Sequence, residues 1–538
     1  MAALVRGNGP PRPILRARRG HMTHNPPPVA DPLRGLPRIA TGSTGFVARH
    51  GLWNDDQRAA AERLEGLLDG LEFVRVGFGD PHGLFRSKTL TVDAFRTVLR
   101  NGMDMSQGPY VFDTGHAVAV DFFAEGGGIG IPELTGAGDF LVVPDPLTFR
   151  ELPYTEARTG WVVGDEYLRD GTPHPLSSRA VLRRVLDRAR AGGWSFVVGL
   201  EVEWYLTRLS ASAGPAGVGG FGVQGDAPAV EVVDGGYQFN LDGLTDALMP
   251  VLTPLARTVR ALGLPLRSVE HEAGPGQVEF TFDPMEGLAA ADAMLLFRTV
   301  AKQVAARQGH HASFMALPGI AGFDPSGWHL HQSLFREAAP GGELRNAFTA
   351  EDGASPLSET GAAYVGGLLE HARAVSALCV PTVNGYRRLA ERYSLSPDRV
   401  VWSPENRGAM VRVLGAPGEP ATHVENRLGE PCANPYLYLA AQLAAGLDGV
   451  ERGLRPGAPA TDPHAPDARV VPRDLDEAVT ALADSALCRE LLGAPLTECL
   501  VRLKRSESAR FAEWLAKAGP VEPGEVTQWE HREYFGTF

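Results

Sequence analysis

The alternation of apolar and polar positions predicts a chain that contains both helices and strands. Residues 55–70 repeat apolar side chains at helical spacing, and Asn54 is suited to cap the first turn. A second helix is predicted over about 178–192, and two long amphipathic stretches cover 240–262 and 285–308. Several shorter runs are apolar at alternate positions, which is typical of strands with one buried face. The pattern therefore predicts a mixed fold of helices and sheet.

The run GLEVEWYL at residues 199–206 is a predicted strand with two carboxylates in an otherwise apolar sequence. Side chains two apart share a face of a strand, so Glu201 and Glu203 point to one side and Val202 to the other. A solvated sheet face is the simplest explanation of this pair when it is taken alone. A functional site would need matching polar residues on other strands.

Three later strands carry the same spacing of polar residues. The residues that share a face in these strands are Gln277 and Glu279, then His329, His331 and Ser333, and finally Glu425 and Arg427. Taken singly, they are explained by solvated strands, by a zinc pair at the histidines, or by surface ion pairs. Together with the opening pair and Glu272 they supply five carboxylates, which would repel one another strongly if gathered without cations.

The chemistry of these side chains indicates a site for metal and phosphate. Carboxylates with one imidazole suit Mg²⁺ or Mn²⁺ better than a structural zinc. Four arginines lie near the later strands: Arg387, Arg388, Arg407 and Arg412. Guanidinium groups bind phosphates and carboxylates because their fixed donors match two acceptor oxygens at once. Metal, phosphate and carboxylate together indicate phosphoryl transfer.

Length, charge and cysteine content exclude several other classes of protein. The chain of 538 residues is long enough for two or more domains, and no apolar run is long enough to cross a bilayer. A net charge of −13 argues against a basic surface for nucleic acid. The four cysteines are widely spaced, which fits a reducing cytoplasm. We therefore expect neither a membrane nor a nucleic acid as partner.

The chain divides into three predicted segments. Residues 1–40 are rich in arginine and proline and are predicted to be a disordered leader. Residues 41–155 are predicted to form a small α+β domain. Residues 156–538 carry all the strand motifs described above, and they are predicted to form a larger domain of mixed sheet and helices.

Six motifs occur in an order that resembles the glutamine synthetase family of bacterial type. They are GLEVEWYL, HEAGPGQVEF, SGWHLHQSL, NGYRRL, ENRGAMVRV and VENRLGEPCANPYLYLAAQLAAGLDG. The spacing of Asp80, Gly83, Arg86 and Lys88 resembles the small N-terminal domain of that family. The likeness covers roughly residues 45–538 and implies an α+β fold. An N-terminal β-grasp domain would precede a catalytic domain in which an antiparallel sheet forms a funnel with flanking helices.

The resemblance implies an assembly and a set of small-molecule partners. The family forms homo-oligomers, and a dodecamer of two hexameric rings would place active sites between neighbouring subunits. The implied substrates are ATP, glutamate and an amine. The implied cofactors are two or more Mg²⁺ or Mn²⁺ ions in each active site.

The resemblance also assigns metal ligands residue by residue. The positions that match ligands of a metal beside the substrate carboxylate are Glu203, Glu272 and Glu279. The positions that match ligands of a metal nearer the ATP phosphates are Glu201, His329 and Glu425. The two carboxylates of the opening strand would thus serve different ions.

Further positions match residues that bind the nucleotide and the substrates. His331 and Ser333 match positions on the nucleotide side, together with Glu201, and Arg407 and Arg412 match arginines that stabilise the transferring phosphoryl group. Arg388 and Arg427 match the pair that grips the amino-acid substrate, and Arg388 is also a catalytic candidate. Gly327 belongs to the loop beside the substrate, and Asp113 is the candidate for binding the amine from a neighbouring subunit.

The sequence departs from the family pattern on the side of the amine. The flap segment lacks the family's glutamate, because Ser394 stands about where that acid would be and Glu391 would replace it only through a shifted loop. The sequence DPSG at 324–327 replaces N-G-S-G beside the substrate, and GEPATH at 418–423 replaces a basic segment near the nucleotide. The metal and phosphate residues are retained.

These departures favour an organic amine over ammonium as the nucleophile. An ammonium ion needs an anionic site and a base, whereas a weakly basic arylamine is already neutral at pH 7. The sequence resembles the divergent group that includes the γ-glutamylanilide synthases. We predict an ATP-dependent ligase that joins the γ-carboxylate of glutamate to an organic amine, arylamines included, through a γ-glutamyl phosphate. The alternatives are glutamine synthetase proper, an ATP:guanidino phosphotransferase, and a catalytically silent scaffold.

Overall fold

The computed structural model describes residues 44–211, 217–337, 342–351, 355–390 and 395–538. The predicted leader over residues 1–40 lies outside the described residues, and so do the flap candidates Glu391 and Ser394. Among the described helices, none is both long enough and apolar enough to span a bilayer.

A six-stranded sheet forms the N-terminal part of the fold. Its strands are β1 (Phe73–Gly79), β2 (Phe85–Thr91), β3 (Met103–Ser106), β4 (Asp139–Pro144), β5 (Arg150–Leu152) and β6 (Thr159–Tyr167). The strand order is β2-β1-β6-β4-β3, with β5 beside β6, and only β1 and β6 run parallel. The sheet extends past the boundary predicted at residue 155, because the almost entirely buried β6 lies at its centre.

Four helices accompany this small sheet. They are α1 (Phe46–His50), α2 (Asp55–Leu68), α3 (Val92–Asn101) and α4 (Gly108–Val111). The helix predicted over 55–70 is α2, and the Asn54 side chain accepts a hydrogen bond from the backbone N–H of Gln57 at its first turn. The reciprocal bond from the Asn54 N–H to the Gln57 side chain completes a capping box.

Within the described residues the larger sheet contains eleven strands, and it carries the predicted polar pairs except that Arg427 lies just after its last strand. Its strands are β7 (Ser195–Leu209), β8 (Val230–Glu231), β9 (Leu266–His271), β10 (Gln277–Phe282), β11 (Met285–Glu286), β12 (His310–Ser313), β13 (Trp328–Glu337), β14 (Leu344–Asn346), β15 (Trp402–Pro404), β16 (Val411–Leu414) and β17 (His423–Asn426). The main order is β15-β16-β17-β13-β7-β10-β9, so the long β7 is flanked by β13 and β10. Apart from the parallel pair β15 and β16, its pairs are antiparallel.

In the part of the chain that the structure describes, ten helices accompany the larger sheet. They are α5 (Ser178–Ala191), α6 (Asp242–Ala261), α7 (Gly287–Arg307), α8 (Glu359–Cys379), α9 (Gly385–Ala390), α10 (Pro435–Arg452), α11 (Leu475–Asp484), α12 (Ala486–Leu492), α13 (Ala494–Ala518) and α14 (Gln528–Tyr534). The helices predicted over 178–192, 240–262 and 285–308 are thereby confirmed as α5, α6 and α7. The α+β fold predicted from the sequence is confirmed as well.

The apolar face of β7 forms part of the core. Val198, Leu200, Val202 and Trp204 are each at most 1% exposed, whereas the carboxylates between them face the other way. The Phe297 ring of α7 packs edge-on against Trp204, with the ring centroids 6.5 Å apart. Burial of this face fixes which side of β7 must carry the polar residues, because a slip of one residue would exchange the two faces.

A buried ion cluster joins the small sheet to the larger part of the chain. Arg179 of α5 is 1% exposed and contacts carboxylates from three different elements. Its guanidinium lies 2.9 Å from Asp145 after β4, 2.6 Å from Asp165 of β6 and 2.7 Å from Asp292 of α7. Removing Arg179 would leave the partly buried Asp292 without this partner and would leave Arg183, which lies 2.8 Å from Asp145 and 3.0 Å from Asp165, as the remaining cation for the other two carboxylates.

We therefore predict that Arg179→Met lowers the free energy of unfolding by about 3–5 kcal/mol. The matched control is Arg190→Met on the same helix, because Arg190 is 54% exposed and its ion pairs with Asp187 and Glu286 are solvated. The control should lower the free energy of unfolding by at most about 1 kcal/mol. Urea unfolding followed by circular dichroism measures both, and equal shifts of the midpoint would contradict the assignment.

Candidate active site

Strand register gathers the predicted carboxylates and histidine on one face of the larger sheet. On β10, Glu279 lies directly opposite Glu203 of β7, and on β13, His329 lies directly opposite Glu201. Glu425 of β17 is brought to the same face by its pairing with β13. The side chains come from four adjacent strands, so their closeness follows from the sheet itself.

His329 lies at the centre of this group, which we call the carboxylate cluster: Glu201, Glu203, Glu272, Glu279, His329 and Glu425. Its Nδ1 is 2.7 Å from Glu201 Oε1 and 3.7 Å from Glu425 Oε1, and its Nε2 is 3.7 Å from Glu203 Oε1. Donor atoms of Glu201, Glu279 and His329 lie within 4.8 Å of one another.

Glu279 approaches Glu201 and His329, and the strand register also places it directly opposite Glu203, with which the resemblance implies that it shares an ion. The register places the His329 ring against Glu201 at the middle of the cluster. The division of the six ligands between two ions remains a prediction.

Burial and mutual repulsion change the acidity of the cluster. Burial, followed by the charges of Glu201 and Glu203, raises the pKa of Glu279 to about 11. Burial and the charge of Glu203 raise the pKa of Glu272, which follows β9, to about 8. Burial also opposes ionisation of Glu201, but hydrogen bonds from His329 and His331 outweigh it and hold the pKa of Glu201 well below its usual range.

The cluster therefore fits divalent cations. Several carboxylates that cannot all ionise together, and that share their space with an imidazole, are stabilised when a cation replaces their protons. Oxygen donors with one nitrogen suit Mg²⁺ or Mn²⁺. The observation that supports metal binding is this set of donors, carboxylate oxygens with one imidazole nitrogen, gathered at one place.

Two of the predicted substrate arginines border the cluster. Arg388 of α9 is 2% exposed, and its guanidinium donates to the carbonyl oxygens of Arg427 and Leu428 at 2.9 Å each. Burial lowers the pKa of Arg388 to about 10. Arg427 is also buried, and it donates a short hydrogen bond to Glu425.

Gly327 lies where the cluster meets Arg388. A Cβ atom at this position would lie 2.7 Å from an Arg388 guanidinium nitrogen and 2.7 Å from His329 Nε2. Its backbone N–H donates to Glu203 Oε2 at 2.8 Å. The absence of a side chain at Gly327 therefore allows the backbone to approach both His329 and Arg388 closely.

The predicted phosphoryl-binding arginines lie on the outer side of Glu425. Arg412 of β16 donates to Glu425 Oε2 at 3.2 Å and to Glu405 Oε2 at 2.7 Å. Arg407 lies in the preceding turn with its side chain exposed. Arg412 is thus joined directly to the cluster, whereas Arg407 remains available to a ligand arriving from solvent.

A cavity of about 440 Å³ opens beside the cluster on the predicted nucleotide side. Glu201, His331, Ser333 and His423 line its polar part, and Phe282 and Phe335 line its apolar part. Its volume falls within the range typical of small-molecule sites. The structure therefore brings the residues predicted for the nucleotide, His331 and Ser333, to a cavity that includes Glu201.

Asp113, the predicted ligand of the amine, accepts several hydrogen bonds. Its carboxylate accepts hydrogen bonds from the backbone of Gly115 and Ala117, from the Ser506 hydroxyl at 2.7 Å and from the Arg510 guanidinium at 2.9 Å. The side chain is 0% exposed. These contacts anchor the loop that contains Gly115 and Ala117, and the binding of an amine by Asp113 remains a prediction.

Two residues beside the carboxylate cluster, Tyr205 and His423, were not predicted from the sequence to belong to the site. Tyr205 accepts a hydrogen bond from the Asp324 N–H at 2.6 Å and donates to its carbonyl at 2.8 Å, which anchors the loop containing Gly327. His423 contacts His331 with 3.0 Å between ring nitrogens. Each lies two residues from a cluster carboxylate on the same strand and therefore shares its face. Tyr205 lies two residues after Glu203, and His423 lies two residues before Glu425.

Comparison with known proteins agrees with this geometry. A family model described as the glutamine synthetase catalytic domain matches residues 175–530. A γ-glutamylanilide synthase from an Acinetobacter species is 41% identical over 500 residues, covering 91% of this chain and 98% of that protein. A glutamine synthetase from Methanosarcina mazei is 31% identical over 471 residues, covering 85% of this chain and 94% of that protein. The solved structure of apo GmaS superposes with a TM-score of 0.68 at 29% sequence identity, and the match covers 88% of this chain and 98% of that chain.

We predict that Glu279→Gln makes the metal-free protein more stable at high pH. The folded state keeps the Glu279 proton up to a pKa of about 11, whereas the unfolded state loses it near the ordinary value of 4.5. The unfolded state therefore binds fewer protons between these values, and wild-type stability falls as pH rises. The substitution removes this penalty, so the gain in melting temperature over wild type should be larger at pH 8.5 than at pH 5.5.

Thermal unfolding in the presence of a chelator measures the gain in melting temperature of Glu279→Gln over wild type at each pH. The matched control is Glu359→Gln, because Glu359 is 90% exposed and should show no such trend. Added Mn²⁺ should raise the melting temperature of wild type more than that of Glu279→Gln. A stability gain that is the same at both pH values would contradict the raised pKa of Glu279.

Proposed function

The chain belongs to the glutamine synthetase family, and from this premise we propose that it is an ATP-dependent ligase that joins the γ-carboxylate of glutamate to an organic amine. The observation that carries the proposal is the carboxylate cluster, which adjoins both a cavity of about 440 Å³ and the buried Arg388. Cations, nucleotide and amino acid can therefore meet at one place. The similarity to a γ-glutamylanilide synthase along 91% of the chain supports an organic amine, arylamines included.

Two or more divalent cations would be held by the cluster. The residues that would bind Mg²⁺ or Mn²⁺ are Glu201, Glu203, Glu272, Glu279, His329 and Glu425. Such cations supply positive charge that offsets the negative charge of the transferring phosphoryl group. All six ligands are present in the sequence, which argues against a catalytically silent scaffold.

In the first step the protein positions the γ-carboxylate of glutamate against the γ-phosphate of ATP. Arg388 and Arg427 hold the amino-acid substrate, while His331 and Ser333 contact the nucleotide. A γ-carboxylate oxygen of glutamate attacks the γ-phosphorus of ATP, the bond from that phosphorus to the β–γ bridging oxygen breaks, and ADP leaves. Arg407 and Arg412 stabilise the charge on the transferring group, and positioning supplies much of the remaining rate enhancement.

In the second step an amine displaces phosphate. The nitrogen lone pair attacks the acyl carbon of the γ-glutamyl phosphate, the carbon–oxygen bond to phosphate breaks, and the nitrogen releases a proton as the amide forms. The pairing of Asp113 with Arg510 supports a neutral nucleophile, because the Arg510 cation offsets the charge with which that carboxylate would attract an ammonium ion. An arylamine attacks without first losing a proton.

The family also supports a larger assembly. We infer a homo-oligomer, a dodecamer of two hexameric rings, that works in the cytoplasm. The four cysteines are buried as free thiols, which is consistent with a reducing compartment. Analytical ultracentrifugation tests the assembly directly.

The choice of amine can be tested with a panel of nucleophiles at equal concentration. The enzyme is supplied with ATP, Mg²⁺, glutamate and one of ammonium, methylamine, ethylamine or aniline, and the amide is identified by mass spectrometry. We expect more amide from an organic amine than from ammonium. A clear preference for ammonium would make the protein a glutamine synthetase proper, and a phosphorylated product without amide would contradict ligation.

The metal assignment can be tested by Glu203→Gln. Loss of this carboxylate should lower the rate of amide formation at least about 100-fold, because charge stabilisation at the transferring group is lost. The matched control is Glu231→Gln, since Glu231 is 53% exposed on β8 and contacts Arg208 and the Ser210 hydroxyl at the surface. Circular dichroism should show both variants folded, and unchanged turnover of Glu203→Gln would refute the assignment.

A further inference from the structure

Residues 427–430, which follow β17, hold the helix α9 at two points. At one point, the Arg388 guanidinium of α9 donates to two carbonyl oxygens of this segment at 2.9 Å each. At the other, the Glu430 carboxylate accepts hydrogen bonds from the Thr382 N–H at 2.8 Å and from the Thr382 hydroxyl at 2.9 Å, in the turn before α9. The segment therefore fixes both the predicted substrate arginine and the turn that leads into its helix.

The Thr382 hydroxyl connects Glu430 to the first residue of α9. It accepts a hydrogen bond from the Gly385 N–H at 3.0 Å while its own hydrogen is donated to Glu430. The first N–H groups of a helix have no partner within the helix, so a hydroxyl acceptor there fixes where the helix begins. The approach is close, because a Cβ atom at Gly385 would lie 2.6 Å from Glu430 Oε2.

Burial makes these contacts hard to replace. Glu430 is 0% exposed and Thr382 is 1% exposed. Without the carboxylate, the N–H and the hydroxyl of Thr382 would lose their acceptor away from bulk solvent, and unpaired groups of this kind are costly. The turn would therefore move to reach other partners, and because α9 begins directly after it, Arg388 would move as well.

The segment that carries Glu430 is itself held in place. The Gly429 carbonyl oxygen accepts a hydrogen bond from the Trp328 N–H at the first residue of β13, at 2.9 Å. Arg427 belongs to the same segment, and its N–H donates to the Met410 carbonyl oxygen at 2.9 Å. One stretch of backbone thus sets the place of Arg427 and, through its contacts with α9, that of Arg388.

We propose that Glu430 is a positioning residue for the amino-acid substrate, and that it acts through Thr382 to set the place of the Arg388 guanidinium relative to Arg427. The proposal rests on the proposed function, which assigns the amino acid to these two arginines. Recognition of a carboxylate by guanidinium groups depends on donors held in a fixed geometry. Glu430 would therefore determine the affinity for glutamate without contacting it.

The proposal is tested by the equilibrium binding of L-glutamate to the full-length protein, measured by calorimetry with Mg²⁺ and the non-hydrolysable ATP analogue AMP-PNP. Glu430→Met should weaken glutamate binding about 10-fold or more, because a displacement of about 1 Å in a binding group can have a large effect. The affinity for AMP-PNP should not change. Glu430→Gln should retain most of the glutamate affinity, because its amide oxygen can accept the Thr382 N–H and its amide nitrogen can donate to the hydroxyl.

The matched control is Glu166→Met. Glu166 is also buried, and its carboxylate accepts a hydrogen bond at 2.5 Å from the hydroxyl of Ser177, which caps α5. Since α5 carries no residue proposed to contact a substrate, the control should lower the melting temperature and leave the glutamate affinity unchanged. Glutamate affinity that is equal in Glu430→Met and wild type, or that falls equally in both Met variants, would overturn the proposal.

A milder variant tests the same connection if Glu430→Met does not fold. Thr382→Val keeps the N–H that bonds Glu430 but removes the hydroxyl that accepts from Gly385. It should weaken glutamate binding in the same direction and leave AMP-PNP binding unchanged. Glutamate affinity of Thr382→Val equal to that of wild type would also count against the positioning role.

Amide synthesis by the wild-type protein, measured alongside, separates the two proposals. If wild type binds glutamate and Glu430→Met loses that affinity, but wild type makes no amide with any amine, only the proposed function is contradicted. If wild type makes a γ-glutamyl amide but Glu430→Met binds glutamate as wild type does, only the positioning role is contradicted. A wild-type protein that does not bind glutamate would contradict both.

Discussion

The repulsion among carboxylates gathered on one face of a sheet is the constraint on which the rest of this structure depends. Four strands, together with Glu272 after β9, bring these side chains together, and burial followed by the charges of neighbouring carboxylates raises the pKa values of Glu272 and Glu279. The sheet tolerates this arrangement because the opposite face is packed against α7, which opposes a slip of the strands. The apolar core therefore holds the charges in place, and their donor set fits divalent cations.

The loop and the arginines around the cluster are arranged to accommodate these gathered carboxylates. Gly327 keeps a side chain out of the space between Arg388 and His329, and Tyr205 and Gln277 anchor the loop that carries it. Arg412 and Arg427 both contact Glu425, so positive charge borders the cluster at Glu425. The arginines and the candidate metal ligands are thus parts of a single electrostatic arrangement.

Much of this site was predictable, because strands place alternate residues on one face. That rule alone identified Glu201, Glu203, Glu279 and His329 as sharing the sides of their strands. It could not predict which residues meet across strands, since register depends on the packing of the whole sheet. The rule therefore does not predict the contact of His329 with Glu201 at 2.7 Å, although the resemblance to a known family implies that Glu201, His329 and Glu425 surround one ion. The pairing of Asp113 with Arg510 could not be predicted for a related reason, because it is a tertiary contact between residues that lie far apart in sequence.

The central claim is that divalent cations complete the carboxylate cluster. Anomalous diffraction at the manganese absorption edge, from crystals of the full-length protein soaked in Mn²⁺, tests it most directly. The account predicts at least two anomalous peaks bounded by Glu201, Glu203, Glu279, His329 and Glu425. Crystals that diffract well at saturating Mn²⁺ and show no anomalous density among these side chains would contradict it.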